Sequence, residues 1–126
     1  MQKRGSTLYI FFIPVVLFLF GFSIIQVNPL KSIFTDDGTP GGFVLARVGV
    51  GNDLGGELED LQVSVIGLDI DIYGFRTNFD LRGKERVTKA LFLDVPNNVQ
   101  PGNYWIKVTL SNEEFKRHTF REITIV

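Results

Sequence analysis

The chain of 126 residues has no cysteine. No disulfide can staple it and no thiolate can serve as nucleophile or zinc ligand, so a folded part must be held by apolar burial and backbone hydrogen bonds. There is one histidine, His118. A multi-histidine metal site therefore lacks its second ligand, and a Ser-His-Asp triad would need Ser64 or Ser111 with a distant acid that nothing local supplies. No asparagine is followed two positions later by serine or threonine, and asparagine-linked glycosylation is not expected. The widest absence is of charge. After Lys3 and Arg4, the stretch from Gly5 to Leu30 holds no ionisable side chain except the phenol of Tyr9.

That uncharged stretch contains an apolar run, residues 8–27, of 20 residues. As a helix it would be about 30 Å long, the thickness of a bilayer core, so a transmembrane helix is expected there. Lys3 and Arg4 flank one side, and Lys31 followed by Asp36 and Asp37 flanks the other. The positive-inside bias then leaves residues 1–7 cytoplasmic and everything after Lys31 outside a cell membrane crossed once. A cleavable signal peptide ending at Gly21-Phe22-Ser23 is the alternative, but the run continues through Ile24 and Ile25 and is longer than a signal core. Pro14 removes one helix hydrogen bond and marks a kink, and no Gly-x-x-x-Gly pair argues for helix dimerisation. Lys3-Arg4-Gly5 before Ser6 and an apolar segment resembles the processing site of type IV pilin-like precursors. It departs from that pattern in carrying Ile10 where such subunits often have an acidic residue.

From Lys31 onward there are 11 basic and 14 acidic residues, a net charge of −3, with the signs interspersed. Nucleic acid is not an expected partner. Residues 28–42 are rich in breakers, from Asn28-Pro29 to Asp36-Asp37-Gly38-Thr39-Pro40-Gly41-Gly42, and read as a linker. Residues 43–126 suit one small domain. An outside domain without disulfides fits a prokaryotic, archaeal or bacterial, surface better than an animal secreted module.

The domain reads as strands throughout. Val44, Ala46, Val48 and Val50 share one face of a first strand, with Arg47 on the other. Leu61, Val63 and Val65 alternate with Asp60, Gln62 and Ser64 in a second. Leu68, Ile70 and Ile72 alternate with Asp69 and Asp71 in a third, after a bend at Gly67. A shorter fourth piece covers 76–81. In the fifth, Val87, Leu91, Leu93 and Val95 share a face with Lys89, which implies an edge strand or a bulge. Tyr104, Ile106, Val108 and Leu110 oppose Trp105, Lys107 and Thr109 in the sixth. The last runs over 115–126, with a bulge expected near Arg121 because Phe120 and Ile123 differ in parity. Seven strands at this spacing predict an all-β, antiparallel sandwich of immunoglobulin type behind one N-terminal transmembrane helix.

The segments Leu58 to Val65, Phe79 to Lys84, Leu91 to Pro96 and Gln100 to Val108 resemble the immunoglobulin-like repeats of prokaryotic surface proteins, of cell-adhesion-related or S-layer-associated type. That resemblance implies a structural or adhesive role and brings no catalytic residues. Its Pro101-Gly102-Asn103-Tyr104 element matches a tyrosine corner, where the phenol bonds back to upstream backbone.

No cofactor is implied. Asp69 and Asp71, two apart, could serve glycoside hydrolysis or hold calcium, but their interleaving with apolar residues is what a half-buried strand needs. Asn52, Asp53, Glu57, Glu59 and Asp60 gather oxygen donors without the spacing of a calcium loop. Arg82, Lys84, Arg86 and Lys89 read as a solvated strand edge. Trp105 stays open: parity points it outward, where tryptophan anchors partners or stacks on sugars, unless a loop covers it. Tyr73 and Phe75 invite the same two readings. The expected function is a non-enzymatic, membrane-anchored surface protein whose sandwich contacts protein in the cell envelope, the alternative being a pilin-like or archaellum-associated assembly subunit.

Overall fold

The computed structural model describes residues 28–126; the apolar run 8–27, and with it the transmembrane expectation and the orienting Lys3 and Arg4, lies outside the described residues. Seven strands follow: β1 Leu30–Thr35, β2 Phe43–Gly51, β3 Leu58–Gly67, β4 Tyr73–Leu81, β5 Arg86–Asp94, β6 Gly102–Ser111 and β7 Lys116–Ile125. They form two antiparallel sheets, β1-β2-β5 and β4-β3-β6-β7. No helix occurs among the described residues. The period-2 patterns explain the layers, since Val44, Ala46, Val48 and Val50 of β2 meet Leu61, Val63 and Val65 of β3 and Ile106, Val108 and Leu110 of β6 in one buried core. With no disulfide to help, these side chains carry the stability. Truncating a fully buried leucine such as Leu61 or Leu110 to alanine costs about 2 to 5 kcal/mol.

The count of seven matches the sequence expectation, but two members differ. β1 lies in the stretch read as linker. A register shift between Leu30 and Ser32 breaks its alternation, and so it shows no period in the sequence. The rest of that stretch is also tied down: Gly38 donates to the Thr124 carbonyl at 2.9 Å and Val95 to the Gly42 carbonyl at 2.9 Å. Conversely, residues 68–72 are not a strand. Ile70 and Ile72 are buried as expected, but they pin a loop that folds back on itself, with the Gly67 amide donating to the Ile72 carbonyl at 3.0 Å. A β-carbon on Gly67 would stand 2.2 Å from the Ile70 carbonyl oxygen, so the fold-back requires glycine there. Two buried isoleucines separated by one aspartate look alike whether a strand or a loop presents them.

Lys89 resolves in favour of an edge strand. β5 pairs with β2 without a register shift and, among the described residues, has no further neighbour in its sheet. The Lys89 ammonium lies 4.5 Å from the centre of the Phe79 ring, so its stem covers the core margin while its charge faces the π-cloud. Arg76 of β4 donates from Nε to the Ala90 carbonyl of β5 at 3.0 Å and closes that side of the sandwich. The bulge expected near Arg121 is absent: β6 and β7 pair in continuous register from Gly102–Ile125 to Ser111–Lys116. Phe120 points outward, which accounts for its parity.

Candidate functional site: an aromatic sheet face and a cross-tied charged end

The outer face of the four-stranded sheet is where the sequence-derived contact residues meet. Ile66 pairs with both Tyr73 and Lys107, and Lys107 with Phe120, so one row crosses all four strands. Phe75 stands opposite Ser64 in the next row. Trp105 stands opposite Glu122, and its carbonyl accepts the Leu68 amide at 3.0 Å. Trp105 is 48 % exposed, Tyr73 58 % and Phe75 52 %. Among the described residues no loop covers Trp105, and the outward reading of its parity describes the structure. The Tyr73 and Phe75 rings lie 5.5 Å apart, tilted against each other. Ile66, Leu68 and Phe120, exposed on the same side, were missed by the sequence reading because each resembles an ordinary core position.

The loop 95–101 borders this face. The Tyr104 hydroxyl donates to the Gln100 carbonyl at 2.6 Å, which holds the turn ahead of Pro101 and Gly102 in the manner a tyrosine corner requires. Asp69 and Asp71 line a shallow groove with Asn98, Gln100 and Tyr104, on a loop and not on one strand face. His118 lies on the outer face with Nδ1 3.3 Å from Thr109 Oγ1. No group of three or more potential metal-ligating side chains comes together among the described residues.

The opposite end of the sandwich, where Asn28 leads into β1, is polar and cross-tied. Asn52 is 1 % exposed. Its Nδ2 donates to the carbonyls of Gly56 at 2.6 Å and Arg82 at 3.0 Å and faces that of Leu81 at 3.2 Å, while its Oδ1 accepts the Leu54 amide at 3.0 Å. Asn52 is therefore a structural tie between loops 52–57 and 82–85. The neighbouring Asp53 is ringed by cations. Lys31 Nζ donates to its Oδ2, Arg86 to its Oδ1 at 3.1 Å, and Lys84 Nζ to its backbone carbonyl at 2.9 Å. The Lys31 hydrogen bond, with the Lys31, Arg86 and Lys84 charges, holds the Asp53 carboxyl below its ordinary value of 3.8. Across the same end, Glu57, Glu59, Asp60, Asn112, Glu113 and Glu114 line an acidic hollow. The hydrogen bond and charge of Glu57, then the charges of Asp80 and Asp60, push Glu59 above 4.5.

No family model matches the chain, and no curated protein matches it. Among solved structures, it is similar to a FixG-related protein from Vibrio parahaemolyticus, with a TM-score of 0.60 at 16 % identity over 79 % of this chain and 98 % of that one. It is also similar to part of a family 123 glycoside hydrolase from Clostridium perfringens, with a TM-score of 0.52 at 7 % identity over 70 % of this chain and 21 % of that one. At such identities the likeness is one of fold, and what it establishes is an all-β, sandwich-like domain.

Proposed function

We propose that this is a non-enzymatic, single-pass membrane protein with an immunoglobulin-like module outside the cell membrane, which contacts a protein of the cell envelope through the outer face of its four-stranded sheet. The observation that carries the reading is the set of exposed Tyr73, Phe75, Trp105 and Phe120 side chains spread over neighbouring rows of one sheet face. A soluble sheet face exposed to water alone has no reason to collect aromatics there, whereas protein interfaces are enriched in them. The strand order also supports an immunoglobulin-like assignment, with the first, second and fifth strands in one sheet and the third, sixth and seventh in the other. The membrane part rests on the charge-free run 8–27 and its basic flank.

Two measurements test it. Protease added to intact spheroplasts should digest the domain, and a protected domain would reverse the orientation. Cross-linking the full chain in native membranes should recover a protein adduct that Trp105→Ala loses while keeping its melting temperature; an unchanged adduct would remove the face from the contact.

One observation favours the assembly-subunit reading. Phe34, Phe43 and Phe92 are exposed on the outer face of the other sheet, with the Phe43 and Phe92 rings 5.4 Å apart and edge-on. Two different apolar faces on opposite sides of one module suit head-to-tail association of copies. A mature chain beginning at Ser6 together with concentration-dependent filaments would support this reading, and a chain retaining Met1 or Gln2 that stays monomeric would end it.

A further inference from the structure

Given the membrane tether just proposed, on which this inference rests, the position of β1 fixes which end of the sandwich meets the bilayer. The apolar run stops at residue 27 and β1 begins at Leu30. Only Asn28 and Pro29 lie between, and the steps from 27 to 30 span about 10 Å at most. They are not slack either: Asn28 Oδ1 accepts the Leu30 amide at 3.0 Å, and the Pro29 carbonyl accepts the Gly51 amide at 2.9 Å. A domain held this closely keeps loops 52–57, 82–85 and 112–115 at the headgroup layer and cannot turn over.

That end is split by charge. Under the three-stranded sheet, Lys31 and Arg86 converge on the Asp53 carboxylate and Lys84 on its carbonyl, and with Glu85, which accepts the Arg82 amide, as the other acid of loop 82–85, the cations stay in excess. Gly51 makes the convergence possible. It lies between Lys31 of β1 and Arg86 of β5, and a β-carbon there would stand 3.2 Å from Lys31 Cγ and 3.3 Å from Arg86 Cγ. Under the four-stranded sheet lies the acidic hollow of Glu57, Glu59, Asp60, Glu113 and Glu114. We infer that the Lys31–Lys84–Arg86 cluster docks on the phosphates of acidic phospholipids, so that the sandwich leans with its basic side on the bilayer and its acidic side raised. Bilayer phosphates offer what the cluster lacks, further anions for three cations of which two share one carboxylate and the third, Lys84, is held by a backbone carbonyl. The lean also keeps Trp105 and Tyr73, near the far end of β6 and the start of β4, away from lipid and open to a protein.

The absence of cysteine gives a direct test. Gly55→Cys, at a position with open space around the added β-carbon and on the basic side, and Glu113→Cys, on the acidic side, each take one fluorophore. The labelled full chain is placed in nanodiscs of phosphatidylcholine, alone or mixed with phosphatidylglycerol, with a quencher on lipid headgroups. Stronger quenching at Gly55→Cys than at Glu113→Cys is expected with phosphatidylglycerol, fading in phosphatidylcholine alone and with rising salt. Replacing Lys31, Lys84 and Arg86 by glutamine should reduce the preference by about fivefold per cation. Equal quenching of the two labels with phosphatidylglycerol, or a preference indifferent to salt, overturns the inference; the salt arm needs none of the glutamine substitutions and holds even if that variant fails to fold. If an alkaline wash strips the chain from the discs, the tether itself is wrong. If the chain stays and the labels respond equally, the tether stands and only the lean is lost.

Discussion

At the end where the chain joins β1, loops are bound to one another by side chains, with Asn52 reaching three carbonyls and Asp53 holding Lys31 and Arg86. At the far end the loops are bound mostly through backbone. Gly41 donates to the Val95 carbonyl at 3.0 Å, Val95 to that of Gly42, and Val126 to that of Gly38 at 2.8 Å. Tyr104 adds one side-chain bond, and Ile70 and Ile72 add two apolar pins. The difference has a consequence for function. The Asn52 side chain is spent on ties and is not offered to a protein partner, whereas a far end closed by backbone leaves Tyr73, Phe75 and Trp105 exposed on the adjoining sheet face.

The sharpest way to break the contrast is Asn52→Ala. It would orphan a buried set of carbonyls at the cross-tied end and should cost about 3 kcal/mol, read as a fall in melting temperature. A loss below about 0.5 kcal/mol would mean that this end is held by something else. Next comes Trp105→Ala, with about 2 kcal/mol lost in partner association and little in unfolding free energy, because an outward side chain leaves no cavity. A stability loss of about 3 to 5 kcal/mol would instead mark a buried tryptophan. Tyr104→Phe removes only the bond to Gln100, whose surroundings are exposed, and should cost about 1 kcal/mol with partner association unchanged.

The smallest effects are those of pH, and they differ in sign. Asp53 titrates below its ordinary value in the folded chain, so its contribution is complete above 3.8 and is lost as pH falls through the lower folded value. Glu59 titrates above 4.5, so its repulsion with Glu57, Asp80 and Asp60 develops as pH rises through that range and disappears on acidification. Melting temperatures taken across mildly acid pH should show Glu59→Gln flattening the limb just above 4.5 and Asp53→Asn flattening the limb below 3.8.

Much of this was legible from residue alternation. Strands such as β2, β3 and β6 bury every other residue against a common core, and Trp105 and Arg47 followed from the same parity. Alternation fails where tertiary contacts decide. The bulge in β1 hides a strand, and Ile70 and Ile72 imitate one while pinning a loop. The cation ring around Asp53 was out of reach for another reason: Lys31, Asp53 and the Lys84–Arg86 pair come from three places in the chain, and only strand pairing brings them together. Ile66, Leu68 and Phe120 were missed as surface because an apolar residue in a strand reads as core unless the face it occupies is known.

Trp105 is the sole tryptophan of the chain, so native fluorescence reports on the aromatic face without any label. With the full chain reconstituted in vesicles, quenching by acrylamide in the water and by bromine-labelled acyl chains in the bilayer can be compared directly. Strong acrylamide quenching with no effect of the brominated lipid is expected if the face stands clear of the membrane for a protein partner. Quenching by the brominated lipid would place Trp105 in the bilayer and contradict the proposed use of that face.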